Sequence, residues 1–405
     1  MGVLANPDSN QAMVPSKQKR THAVFCVSSA HRLAPTSKPR FVGERVKLGD
    51  VLQVVNGKNQ KAVKDENGQY PIYGSGGQMG WASSYICPAD TVIIGRKGNI
   101  NKPIYVSEPF WNVDTAFGLV AKPELLDARY LYHFCKHYDF GKLNTTCTIP
   151  SLTRKNIEGI LLRLPSLGGQ KETAAQLDSI LKQIALAQQE IAGLDSLVKS
   201  RFVEMFESKD YGMRPMGDLV ESITAGTNVG GQQRPLGEGE YGVLKISAVT
   251  QGVFNPGELK AVNDVSHIKM IHPRKGDLLF SRANTSEMVG ATAIVDKDYG
   301  DLFLPDKLWR LDPTDEVETV FLKALLSSPS IRAEMSKVST GSSGSMQNIS
   351  MAKFRKLPAF LPPLALQQEF AAFASQVDKS RFIAQQQIEK LQMLYDSLAQ
   401  DYFGD

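Results

Sequence analysis

The chain has 405 residues, of which 42% are hydrophobic and 22% charged, with a formal net charge of +4 and a pI near 8.7. That length supports two to three domains with full cores, no segment reaches the apolar length of a membrane span, and so modest a basic excess permits nucleic-acid binding without demanding it. Four cysteines, Cys26, Cys87, Cys135 and Cys147, show no paired spacing, which fits a reducing cytoplasm better than a disulfide framework.

In chain order, residues 1–40 carry six basic side chains against one acid, Asp8, and read as a basic, disordered tail. The apolar run Ala23–Val27 is too short for the core of a signal peptide. From 41 to 166 the text is strand and turn. Val51–Val55 and Thr91–Ile94 are β-branched runs bounded by the glycine turns at Gly74–Gly77 and Gly95–Asn99, and a helix is expected at Ala128–His137. Leu164–Pro165 closes this first unit, and a long helix over Gln170–Phe206 follows within 167–208. A second mixed α and β unit occupies 209–365, with strands at Gly242–Ile246, Asp277–Phe280 and Ala291–Val295 and a helix near Val317–Ser327. Its exit, Leu361–Pro363, leads to a second long helix over Gln367–Phe403 within 366–405.

The chain is thus written twice. Leu152 and Ile349, Pro165 and Pro362, Ile191 and Ile388, Phe206 and Phe403 all stand 197 apart, without a gap. Upstream the offset drifts, from 168 at Asp50 and Asp218, through 187 at Asp90 and Asp277, to 192 at Asp114 and Asp306. Insertions therefore fall in the front loops and spare the helices. Leu177, Ile180, Ile184, Ala187, Ile191 and Leu194 in one helix, and Phe370, Val377, Ala384, Ile388 and Leu391 in the other, follow a three-four spacing. Neither helix can bury such a stripe alone, so an antiparallel coiled coil with one α+β unit at each end is expected. Arg201 and Arg381 interrupt the seam, either as register or partner contacts or as snorkelling ends.

Catalytic signatures do not emerge. Neither a phosphate-binding Gly-x-x-x-x-Gly-Lys loop nor an Asn-Pro-Pro-aromatic methylation motif occurs, and Gly74–Gly80 lacks one glycine of the dinucleotide pattern. His133 and His137 have the spacing of a zinc pair but no third ligand, and read as packing residues; no metal ligands are assigned. What recurs is a set of polar and basic loops. In the first unit they hold Tyr73, Ser75, Arg96, Lys97, Asn99, Lys102 and Thr146; in the second, Lys245, Ser281, Arg282, Asn284, Thr285, Ser343 and Gln347. Such side chains read base edges and approach phosphates.

The runs Tyr70–Gly77, Ile93–Asn99 and Trp111–Phe117, then Ile157–Pro165 before a long helix, resemble the specificity subunit of type I restriction-modification systems. Gly276–Arg282, Gln347–Ser350 and Leu361–Leu364 resemble the same family's target-recognition domain. The resemblance implies a non-catalytic reader of double-stranded DNA, each unit binding one half of a split target. It also implies that the helices dock two methyltransferase subunits and that motor-nuclease subunits can join. S-adenosylmethionine, ATP and Mg would be used by those partners and not bound by this chain, which would work in the cytoplasm, away from membranes. Two other readings are a coiled-coil scaffold that does not act on DNA and a stand-alone DNA-modifying enzyme, which should carry a cofactor loop or a carboxylate cluster.

Overall fold

The computed structural model describes residues 43–143, 151–341 and 346–404. The basic tail, Cys26, Cys147, Thr146 and Ser343 lie outside the described residues.

Short apolar runs build the same two sheets in each unit. In the first, an antiparallel sheet runs in the order Leu52–Asn56, Ala116–Ala121, Thr91–Gly95, Ile104–Val106, and a smaller one in the order Gly77–Ala82, Tyr70–Gly74, Trp111–Asn112. In the second, the larger sheet is Val220–Ala225, Leu308–Pro313, Leu278–Ser281, Thr292–Ile294 and the smaller is Leu259–Val262, Tyr241–Leu244, Leu302–Phe303. The central strand Thr91–Gly95 is buried at every position, as a strand covered on both faces must be. Register corrects one expected alignment. Ile94 faces Phe117 and Phe280 faces Trp309, so Asp90 corresponds to Gly276 and not to Asp277. Both corner residues are left-handed, with φ of 57° and 90°; aspartate tolerates that region and glycine adopts it freely.

The short helix Ala128–His137 matches expectation, with Asp127 accepting from the N–H groups of Arg129 and Tyr130. Its counterpart Thr319–Ser327 is capped in the same way by Glu318. The long helices run Leu167–Phe202 and Leu364–Phe403, each beginning a turn earlier than the apolar stripe suggests. Ser166 explains the first of these starts, since its hydroxyl caps the Gly169 N–H at 3.3 Å. At 36 and 40 residues they are about 54 and 60 Å long.

The two helices pair antiparallel. Tyr402 donates to Gln176 near one end, Arg381 meets Asp195 farther along, and Arg201 lies 3.1 Å from Glu369 near the other end. Both interrupting arginines are therefore register contacts between the helices. Leu177, Ile180 and Ile184 pack with Tyr395, Ala399 and Tyr402. Each helix also ends inside the unit it did not come from. Phe202 and Phe206 join the second unit's core beside Phe321 and Phe370, while Phe403 packs on Tyr130 and Phe134 of the first.

His133 is fully buried where the first unit meets both helices. Its Nδ1 lies 2.9 Å from the Tyr395 hydroxyl and its Nε2 3.0 Å from the Asp178 carboxylate, so it acts as a packing residue between elements. Burial lowers its pKa below the ordinary 6.5 despite the opposing pull of Asp178, and Arg129 and Lys136 add to the lowering. A depressed histidine is neutral when folded, whereas the unfolded chain takes up a proton below about pH 6.5, so folding stability should fall as pH drops through that value. Unfolding midpoints measured at a series of pH values should show this decline, and His133→Gln should flatten it; an identical slope in the variant would remove His133 as its source.

Candidate nucleic-acid interface

In the first unit the parallel pairing of Tyr70–Gly74 with Trp111–Asn112 ends at Val113, whose N–H donates to the Tyr73 carbonyl at 2.9 Å. The turn beyond passes so close to Gly57 that a Cβ there would lie 1.8 Å from the Val113 carbonyl oxygen; only glycine allows this approach. On the same turn the Thr115 carbonyl accepts from the Arg96 N–H at 2.8 Å, and the Arg96 carbonyl accepts from Leu152 at 3.0 Å. Tyr73, Ser75, Arg96 and Lys97 are thereby gathered around one turn. The Asn101 side chain ties the following loop to Asp139 at 2.7 Å and to the Phe140 N–H at 2.8 Å, and Lys97, Asn99 and Lys102 are exposed along it.

The second unit repeats the close glycine approach and both backbone bonds of the arginine. A Cβ on Gly226 would lie 1.9 Å from the Leu304 carbonyl oxygen. The Lys307 carbonyl accepts from the Arg282 N–H at 3.0 Å, and the Arg282 carbonyl accepts from Ile349 at 2.9 Å. Arg96 and Arg282 thus hold one backbone position in the two copies. Strand register likewise matches Ser75 with Lys245, since Ile72 faces Trp111 as Gly242 faces Leu302.

The electrostatics of the two surfaces differ. Arg96 is exposed, its guanidinium 5.9 Å from the Phe117 ring centre, and among the described residues it has no ion pair. Arg282 donates from Nε to the Asp306 carbonyl at 2.9 Å and from Nη2 to the Asp306 carboxylate at 3.1 Å, which leaves its remaining N–H groups oriented by a fixed partner. Lys245 lies 2.7 Å from Glu258, and this contact, with a hydroxyl bond from Ser247, holds the Glu258 carboxyl below its usual range. Arg282 and Lys245 are therefore already paired.

Some expected site residues face inward. Ser281 is fully buried as the last residue of its central strand, with its hydroxyl 3.3 Å from the Ala283 carbonyl. Asn284 is buried too, its oxygen accepting from the Thr285 N–H at 2.9 Å. Both side chains therefore lie beneath the loop surface and not on it. Thr285 is exposed; Gln347 is half-buried and pairs through its backbone with Asn284. Tyr73 is half-buried with its ring edge-on to Phe110 at 5.6 Å, and burial, with Glu108 adding, raises its hydroxyl pKa. Two residues missing from the expected set are Asp306 and Glu258, which orient the second unit's cations. The alignment of Asp306 with Asp114 was the available signal for the first; a pairing across a long loop left none for the second.

The chain is 26% identical over 321 residues to the type I restriction enzyme EcoKI specificity subunit of Escherichia coli strain K12, covering 73% of this chain and 69% of that one. It is 21% identical over 347 residues to a putative type I restriction enzyme specificity subunit of Haemophilus influenzae, covering 80% and 85%. The solved S subunit of a type I restriction-modification system from M. genitalium shares the fold, with a TM-score of 0.56 at 13% identity over 91% of this chain and 98% of that one. The sequence profile described as the type I restriction modification DNA specificity domain matches residues 43–196 and 208–393, one span on each copy, and the protein belongs to that family.

Proposed function

We propose that this protein is the DNA reader of a type I restriction-modification complex, with each α+β unit contacting one half of a split target and the paired helices setting the gap. The observation that carries the reading is the shared backbone position of Arg96 and Arg282 in two units held at opposite ends of one antiparallel bar. Arginine at a groove-facing loop supplies paired donors to guanine or a clamp on phosphate. Specificity subunits of these systems are non-catalytic, and their partner subunits carry the activities. On this proposal two methyltransferase subunits bind S-adenosylmethionine, and motor-nuclease subunits use ATP and Mg. Among the described residues no helix is long and apolar enough to cross a membrane.

The bar supplies a surface suited to such partners. Phe382 and Ile383 are 63% and 64% exposed, and Met393 and Leu394, eleven residues on, are 64% and 47% exposed. Eleven residues make about three turns, so the pairs share one face. On the first helix Leu186 and Leu197 are exposed at the same spacing. Apolar side chains exposed at this spacing along the bar, with polar residues between them, offer a partner anchoring points.

Replacing Arg96 or Arg282 by Ala should weaken DNA binding by about 1–3 kcal/mol if the residue reads a base, with the loss confined to one half of the target. Binding titrations against substituted half-sites decide this: uniform loss on all sequences would make the residue a phosphate anchor. For the bar, Ile383→Asp should leave unfolding and DNA binding of the chain alone unchanged while abolishing co-elution with the methyltransferase subunit in gel filtration. Normal co-elution of that variant would remove this face as the docking surface.

A further inference from the structure

Where each long helix leaves its unit, one glutamine is fully buried: Gln170 and Gln367 are both 0% exposed. An amide in such a place is costly unless its donors and acceptor are satisfied, and here they are. The Gln170 oxygen accepts from the Asp127 N–H at 2.8 Å, while its Nε2 donates to the Leu125 carbonyl at 3.0 Å and the Pro165 carbonyl at 2.9 Å. Gln367 accepts from the Glu318 N–H at 2.9 Å and donates to the Glu316 carbonyl at 3.0 Å and the Pro362 carbonyl at 2.8 Å. One side chain thus ties together the helix, the proline exit of the unit and the loop that starts the unit's short helix.

We propose that Gln170 and Gln367 are positioning residues that fix the orientation of each recognition unit on the bar, and so determine which spacer between half-sites is accepted. The proposal rests on the DNA-reading role above. Apolar packing holds surfaces together without specifying rotation, because burial is non-directional; three hydrogen bonds from one planar amide specify an angle. The same three bonds recur in both copies although the candidate DNA-contacting loops of the two units differ in length and sequence. Conformity at the junction beside divergence in the loops is what a gauge needs, since the gap must stay constant whichever bases are read. Neither glutamine lies in the candidate DNA-contacting loops, so each acts through the placement of those loops.

The test uses the full chain assembled with its methyltransferase subunits and DNA duplexes carrying the same two half-sites at the preferred spacer or at one or two base pairs more or fewer. Initial methylation rates are compared for the unaltered protein, Gln170→Met, Gln367→Met and the milder Gln170→Glu, which keeps the acceptor for the Asp127 N–H. Loss of the directional bonds should lower the rate ratio between preferred and neighbouring spacers by about tenfold, with the half-site sequences unchanged. Equal loss at every spacer, or failure of all variants to fold and assemble, would make the clamps stability elements only and overturn the proposal. Were the unaltered complex to have no split target, the DNA-reading role itself would fall, and the gauge with it; an intact split target with unchanged spacer preference in the variants overturns the gauge alone.

Discussion

The structure depends on a single constraint: neither long helix can keep its apolar stripe out of water without the other. Leu177, Ile180 and Ile184 from one and Tyr395, Ala399 and Tyr402 from the other form a shared core, and helices of this length gain most of their stability from such packing. Because each helix starts in one unit and buries aromatic residues in the other, Phe206 at one end and Phe403 at the other, the bar cannot shorten, slide or rotate without opening a globular core. The two units, each completed by the other's helix, are thereby held at a separation set by helix length.

The copies divide what is held constant from what varies. Helix register, capping of the short helices by Asp127 and Glu318 and the close approaches at Gly57 and Gly226 are shared. The charge state of the presented surface is not. Arg96, exposed and without an ion pair among the described residues, loses side-chain entropy when it engages a ligand, whereas Arg282 is already oriented by Asp306 and meets a ligand with less to lose. Lys245 must share its charge with Glu258. Two surfaces on one scaffold are thus tuned differently by a few side chains.

Much of the architecture was legible because an antiparallel seam tolerates no insertion in one helix that is not matched in the other. The constant offset of 197 covers the stretch where a lost residue would turn an apolar face to water, and the offset drifts where surface loops absorb extra residues. The one-residue slip at Asp90 arose because two chemically different residues serve the same left-handed corner, so matching identities misled where hydrogen-bond register did not. Site residues were harder to see. Ser281 and Asn284 look like polar loop residues but end or follow a strand buried on both faces, and that burial is a tertiary property. Gln170 and Gln367, taken as the polar beginnings of helices, are satisfied by backbone groups up to 51 residues away, which no local pattern announces.

A bar that acts as the ruler between the two units should give a longer gap when it is lengthened. Inserting four helix-forming residues beside Ala187 and four beside Ala384, both buried in the seam, lengthens each helix by about 6 Å, and base pairs rise about 3.4 Å each. Four residues also make a stutter that locally unwinds the supercoil without abolishing the pairing. Mapping the DNA sites methylated by the assembled complex should show the same two half-site sequences separated by one to two more base pairs. An unchanged gap, or altered half-site sequences at the old gap, would contradict the claim.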